Sequence, residues 1–262
     1  MNTLATTIAT IIAAALAIPP TAQEPAPRTI PVPALPGIEV STGDEVDVAL
    51  VLLIDASGSI SAEEYQIQRE GYANAFRSPD VAGAIRSGIY GRIAVTAIEW
   101  ASPEQITTIL PWRVIEDDEA ASSAADGIES APAPEWRGTS TSTSISAAMD
   151  AAYVAVLAGS FKAIRTVIDL SGDGVNSGGN PVEPTRSKLI AAGMTINGLP
   201  IITAPSDAVI VDYYGREVIG GPGAFLVPVE GFGQFAEAVR RKLVLEIAGD
   251  MPRVVPVVQI GE

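Results

Sequence analysis

An unbroken apolar run that ends abruptly in polar residues constrains this chain more than any other stretch. Residues 48–54 are all hydrophobic and mostly branched, and Asp55, Ser57 and Ser59 follow at alternating positions. Seven such residues predict a strand buried on both faces, as in the middle of a parallel sheet. Open α/β sheets bind their ligands just beyond the carboxyl ends of their strands. The three oxygen side chains therefore lie where a binding site would form, and they suit a hard cation.

The composition excludes several functional classes. The chain has 262 residues, 47% of them hydrophobic, which is enough for a sizeable core. It has no cysteine and no histidine, so disulfides, thiolate nucleophiles and Ser-His-Asp triads are excluded. A net charge of -15 argues against a nucleic-acid partner, because phosphate binding needs a concentrated positive surface. A basic cluster at residues 240–242 is interpreted as the solvated face of a helix.

The two ends of the chain are predicted to lie outside the folded domain. Residues 1–22 resemble a secretory signal peptide, because the hydrophobic run at residues 8–18 is shorter than the ~20 residues that span a bilayer. The segment has no Lys or Arg before that run, and an uncleaved membrane anchor is the alternative. Residues 23–44 are a Pro-rich linker, and residues 249–262 form a short tail. We therefore expect an exported protein, periplasmic or secreted.

Residues 45–248 are predicted to form one α/β domain. Strands alternate with helices, which indicates a doubly wound (Rossmann-like), mainly parallel sheet with helices on both faces. Residues 105–114 are predicted as a short antiparallel edge strand. Ser61 and Glu64 form a capping box at the start of the first helix. The other predicted strands are residues 93–100, 163–170, 194–200 and 224–229, and the later predicted helices are residues 117–128, the helix that begins near Ile145, residues 184–192 and residues 232–247.

Three polar segments are expected at one edge of this sheet. They are the Asp55-x-Ser57-x-Ser59 segment, the Thr/Ser run at residues 138–146, and Asp173 after a hydrophobic strand. Each segment alone is more simply explained as a turn or a helix cap. Together, their carboxylates and hydroxyls suit Mg²⁺, Mn²⁺ or Ca²⁺. An ion with two carboxylates and neutral hydroxyls would keep an open position for a carboxylate of a partner.

The sequence DASGS, with a downstream threonine and a later aspartate, resembles the metal-ion-dependent adhesion site of von Willebrand factor type A (vWA) domains. The resemblance extends over the whole predicted domain and implies the vWA fold and a divalent cation, Mg²⁺ in the first place. The side chains that it implies as ligands are Asp55, Ser57, Ser59, Thr143 and Asp173. Thr143 fits the threonine position best, and Thr141 and Thr139 are the alternatives.

Other stretches, such as IAVTAIEW and LSGDGVNSGG, resemble an uncharacterised bacterial exported branch of the family. The segments GGNPVEP and YYGREVIGGPGAF depart from the general vWA pattern, and we expect them beside the metal. The resemblance implies a non-enzymatic adhesion or scaffold protein, whose ion binds an acidic group of a protein partner. The alternatives are a metal-dependent hydrolase, which the absence of histidine disfavours, and an envelope protein with a structural metal. No small-molecule cofactor is expected.

Overall fold

The computed structural model describes residues 45–204 and 207–249. The predicted signal peptide and linker (residues 1–44) and the tail beyond Gly249 lie outside the described residues. Within the described ranges, no helix is both long enough and apolar enough to cross a membrane.

Six strands form the sheet, and their order confirms the predicted architecture. The strands are β1 (Glu45–Asp55), β2 (Ile93–Trp100), β3 (Ile106–Ile115), β4 (Lys162–Gly172), β5 (Thr195–Ile202) and β6 (Val229–Glu230). Their order across the sheet is β3-β2-β1-β4-β5-β6. All neighbouring strands are parallel except β2 and β3, so β3 is the antiparallel edge strand. The first strand thus lies in the interior of the sheet, between β2 and β4.

Helices cover both faces of the sheet. They are α1 (Ala62–Phe76), α2 (Pro79–Arg86), α3 (Asp118–Ser130), α4 (Ile145–Ala158), α5 (Val182–Ala191), α6 (Ala208–Tyr213) and α7 (Phe235–Ala248). Alternate β1 residues, from Val48 to Ile54, pack into a core with α1, α2, α3 and α7. Val51 and Leu53 pack into a second core with α4, α5 and α6. Burial on both faces explains why residues 48–54 of β1 are uniformly apolar.

The capping box predicted at the start of α1 is present. Ser61 Oγ accepts a hydrogen bond from the Glu64 backbone N–H, and Glu64 Oε2 accepts one from the Ser61 N–H. The short helix α2 was not predicted. Its signal was local, because Ser78 caps it and Pro79 occupies its first turn.

The last predicted strand, residues 224–229, is wrong in extent. The structure contains only Val229–Glu230 as β6, and Leu226 makes a single bridge to Gly198. Pro228 cannot donate to a ladder, which explains why pairing does not extend through this stretch. The predicted closing helix also begins later, because a 3₁₀ turn at Phe232–Gln234 precedes α7.

The interpretation of Lys242 as a solvated residue is wrong. Its ammonium is fully buried, 2.5 Å from Asp169 Oδ1 and 2.5 Å from Glu246 Oε1. Asn197 Nδ2 donates to the same Glu246 oxygen at 2.9 Å. Burial, and then repulsion from Asp169, raises the pKa of Glu246 to about 7. This ionic cluster joins α7 to β4 and β5.

Candidate metal site

Asp55 is the last residue of β1 and the most buried polar group of the site. Its side chain is fully buried, and Oδ1 accepts a hydrogen bond of 2.7 Å from the Ser57 backbone N–H. Its other oxygen, Oδ2, has no hydrogen-bond partner among the described residues. Gln68 of α1 donates from Nε2 to the Asp55 carbonyl at 3.0 Å, which fixes the end of the strand. One carboxylate oxygen therefore stays buried and unsatisfied.

The sheet brings Asp173 to the same edge. In the register of β1 and β4, Ile54 lies opposite Ser171, so the residues after both strands emerge together. Ser59 Oγ donates to Asp173 Oδ1 at 2.7 Å. Ser59 Oγ also lies 3.2 Å from Ser57 Oγ. Hydrogen bonds thus connect the two serines of the DASGS segment to the later aspartate.

Of the three threonines considered, Thr143 is the one whose side chain lies beside Gly174, the residue that follows Asp173. A Cβ atom built on Gly174 would lie 3.7 Å from Thr143 Oγ1. The Thr143 backbone is held by Ser177, whose Oγ accepts from the Thr143 N–H at 3.0 Å and whose N–H donates to its carbonyl at 2.8 Å. The hydroxyl of Thr139 is engaged elsewhere, because it donates to the Trp136 carbonyl at 2.6 Å. Thr141 is exposed, and Thr143 remains the predicted ligand.

Both carboxyl groups of the site have a raised pKa. Burial raises the pKa of Asp55 to about 7, and repulsion from Asp173 adds to the rise. Burial also raises the pKa of Asp173, although the Ser59 hydrogen bond opposes it. A bound cation would lower the pKa of both carboxyls, since a nearby positive charge favours the ionised form. The donor set fits a hard cation better than a soft one.

The site has few charged ligands. In the part of the chain that the structure describes, no three or more His, Cys, Asp or Glu side chains converge as metal ligands. The other candidate ligand oxygens are the hydroxyls of Ser57, Ser59 and Thr143. An ion held here would need water or a ligand from outside to complete its coordination.

Sequence reasoning missed two residues beside Asp55. Gly172 must lack a side chain, because a Cβ there would lie 2.7 Å from Tyr214 Oη and 2.8 Å from Asp55 Oδ2. Tyr214 is fully buried, and its hydroxyl has no hydrogen-bond partner among the described residues. It begins a π-helical turn, Tyr214–Val218, inside the YYGREVIGGPGAF segment expected beside the metal. In the sequence, Tyr214 was indicated only by the departure of this segment from the vWA pattern.

Solved structures with the same fold belong to vWA proteins of low sequence identity. One is proximal thread matrix protein 1 from the mussel byssus, with a zinc-occupied MIDAS motif, at 17% identity and a TM-score of 0.56, covering 79% of this chain and 49% of that chain. Another is the vWF domain of the type V pili tip protein Mfa5 from Porphyromonas gingivalis, at 10% identity and a TM-score of 0.54. That match covers 80% of this chain and 98% of the Mfa5 domain. This chain spans about half the length of the byssus protein.

Comparison with protein families gives a direct assignment. No curated protein matches the chain. Residues 45–251 match the family described as a protein of unknown function (DUF1194). Because this match covers most of the chain and the solved structures share its architecture, the protein belongs to the DUF1194 family and has the vWA fold.

Proposed function

We propose that this protein is an exported vWA domain that binds a divalent cation and uses it to bind a carboxylate of a protein partner. The ligands in this proposal are Asp55, Ser57, Ser59, Thr143 and Asp173, and Mg²⁺ is the preferred ion. The observation that carries the proposal is the buried, unpartnered Oδ2 of Asp55 beside a second carboxylate. A buried carboxylate without a partner is costly, and a divalent cation would neutralise both groups at once.

The ligand types indicate how the ion would act. Mg²⁺ binds oxygen ligands in near-octahedral geometry and usually keeps several waters. Two carboxylates and three hydroxyls would leave a position for an exchangeable water. A carboxylate from a partner could replace that water and form a charge-assisted contact. The surface around the site would then provide most of the selectivity.

Export and a non-enzymatic role are part of the same proposal. The chain contains no histidine, so an imidazole general base is not available for hydrolysis. Two of the proteins with this fold come from a mussel byssus and from a pilus tip. Both settings fit a domain that connects proteins outside the cell. They support an adhesion or scaffold role here.

Cation binding is tested first. Calorimetric titration of the purified full chain with Mg²⁺ and with Mn²⁺ should show one site in the wild type and none in Asp55→Ala. Asp118→Ala is the matched control, because Asp118 is an exposed carboxylate on α3 that pairs with Arg86 on the surface. An Asp55→Ala variant that binds either ion as the wild type does would refute the proposed site.

Partner binding is tested with the same variants. Proteins retained from an envelope extract by the wild type are purified and re-tested for binding with and without EDTA. We expect binding that is lost in EDTA, restored by Mg²⁺, and absent with Asp55→Ala. A partner that binds equally well in EDTA and to Asp55→Ala would refute metal-dependent adhesion while leaving the cation titration to stand on its own.

A further inference from the structure

The loop that carries Thr143 is long and irregular. Residues 131–144, between α3 and α4, contain turns but neither helix nor strand. Loops of this length without regular structure are uncommon in compact domains, and many of them are functional. Backbone hydrogen bonds hold the end of the loop, where the Ser144 N–H donates to the Ala101 carbonyl at 2.7 Å. Side-chain contacts hold its beginning and its middle. Two arginines supply such contacts.

Arg69 of α1 anchors the beginning of the loop. Its guanidinium donates to both carboxylate oxygens of Glu99 on β2, at 2.8 Å from Nε and 3.1 Å from Nη2. Both side chains are buried, and a bidentate pair of this kind fixes the guanidinium plane. Its Nη1 donates to the carbonyl of Ala131, the first residue of the loop. Arg69 therefore connects the start of the loop to the sheet.

Arg137 anchors the middle of the loop to the segment that follows the two serines. Its Nη2 donates to the Ser61 carbonyl at 2.8 Å and to the Ile60 carbonyl at 3.3 Å. Ser61 lies only two residues beyond Ser59. Arg137 thus connects two of the three segments that form the candidate metal site, and it lies six residues before Thr143.

A tyrosine ring joins the two arginines. Cζ of Arg137 lies 4.1 Å from the centroid of the Tyr65 ring, and Cζ of Arg69 lies 4.6 Å from it. Both distances are within the range of a cation–π contact. Tyr65 Oη donates to Glu99 Oε2 at 3.0 Å, so the ring itself is fixed to β2. The position of Arg137 is therefore set by buried groups.

The DASGS segment and the 131–144 loop are in close contact at Gly58 and Ser140. A Cβ atom on Gly58 would lie 2.9 Å from the Ser140 carbonyl oxygen. Ser140 lies three residues from Arg137 and three from Thr143. A shift of the loop would therefore change the separation between Thr143 and the DASGS segment directly.

We propose that Arg137 is a positioning residue for the cation site: through Ser61 and Tyr65 it holds the Thr143 loop at the distance that cation binding requires. This inference rests on the proposed function, since it concerns the same site. Arg137 is not itself a ligand. Removing a group that orients a metal ligand typically lowers the metal affinity 10–100-fold.

The test compares Arg137→Met with Arg86→Met in the full chain. Arg86 is the matched control, because it is an exposed arginine that pairs with Asp118 on the surface. By calorimetric titration with Mg²⁺ and Mn²⁺, we expect about tenfold weaker binding for Arg137→Met and wild-type binding for Arg86→Met. Should Arg137→Met fail to fold, Arg137→Lys keeps a cation near Tyr65, and we expect a smaller loss of affinity.

A second measurement does not depend on the metal. In EDTA, backbone amides of residues 138–144 should exchange hydrogen faster in Arg137→Met than in the wild type. Wild-type affinity together with unchanged exchange would overturn the positioning role, while loss of binding in Asp55→Ala would still support the proposed function. A wild type that binds neither cation would overturn both proposals.

Discussion

Replacing Asp55 with asparagine should stabilise the protein in EDTA at high pH. Asparagine has nearly the shape of a protonated aspartate and can accept the same hydrogen bond from the Ser57 N–H. It removes a buried negative charge that Asp173 repels. In the metal-free protein, ionisation of Asp55 is unfavourable, so removing the charge relieves the folded state.

The size and the pH window of the effect follow from the pKa. Burial raises the pKa of Asp55 from 3.8 to about 7. The folded state therefore holds a proton between these values that the unfolded state releases, and wild-type stability falls as the pH rises from about 4 to about 7. At about 1.4 kcal/mol for each tenfold change in proton affinity, Asp55→Asn should gain up to about 4 kcal/mol over the wild type at pH 8 and almost nothing at pH 4.

Urea unfolding followed by tryptophan fluorescence measures the difference. Wild type, Asp55→Asn and the exposed control Asp118→Asn are compared in EDTA at pH 4.5 and pH 8. With Mg²⁺ at about 100 times its dissociation constant, the wild type and Asp118→Asn should each gain about 2.7 kcal/mol, Asp55→Asn should gain none, and the stability difference between wild type and Asp55→Asn at pH 8 should narrow. The reasoning would be refuted by an Asp55→Asn variant that is less stable than the wild type in EDTA at pH 8. It would also be refuted if the difference in unfolding free energy were the same at both pH values.

Three further predictions concern contacts around the site and in the core. Thr143→Val should weaken Mg²⁺ binding in a calorimetric titration and Thr139→Val should not, because the Thr139 hydroxyl already donates to Trp136; the opposite order would assign the ligand to Thr139. Gly172→Ala should lower both the melting temperature and the Mg²⁺ affinity, because its Cβ would collide with Tyr214 and Asp55. The control Gly83→Ala in α2 has open space around it, so it should leave both quantities intact or raise stability by up to about 1 kcal/mol. Lys242→Met should cost about 3–5 kcal/mol in urea unfolding, because two buried carboxylates lose the ammonium that lies between them. Replacing the half-exposed Lys188 with methionine should cost under about 1 kcal/mol, and equal losses would contradict the role of the buried cluster.

Much of the fold could be predicted because its signals are local. The apolar run of β1 encodes burial on both faces within seven residues, and the alternation of strands and helices encodes a mainly parallel sheet. The Ser61–Glu64 capping box depends on residues three positions apart. Where local signals conflicted, as at residues 224–229, apolar character predicted a continuous strand whose pairing Pro228 interrupts.

The sequence by itself indicated which oxygen side chains could form a cation site. Because the carboxyl ends of central parallel strands share one edge, it also indicated that Asp55 and Asp173 would meet. Tertiary structure decided what depends on groups far apart in the chain. It placed Thr143 rather than Thr139 beside Gly174, put Tyr214 against Gly172, and buried Lys242 between carboxylates from β4 and α7. These contacts arise from packing between elements, and packing of that kind leaves no periodic pattern in the sequence.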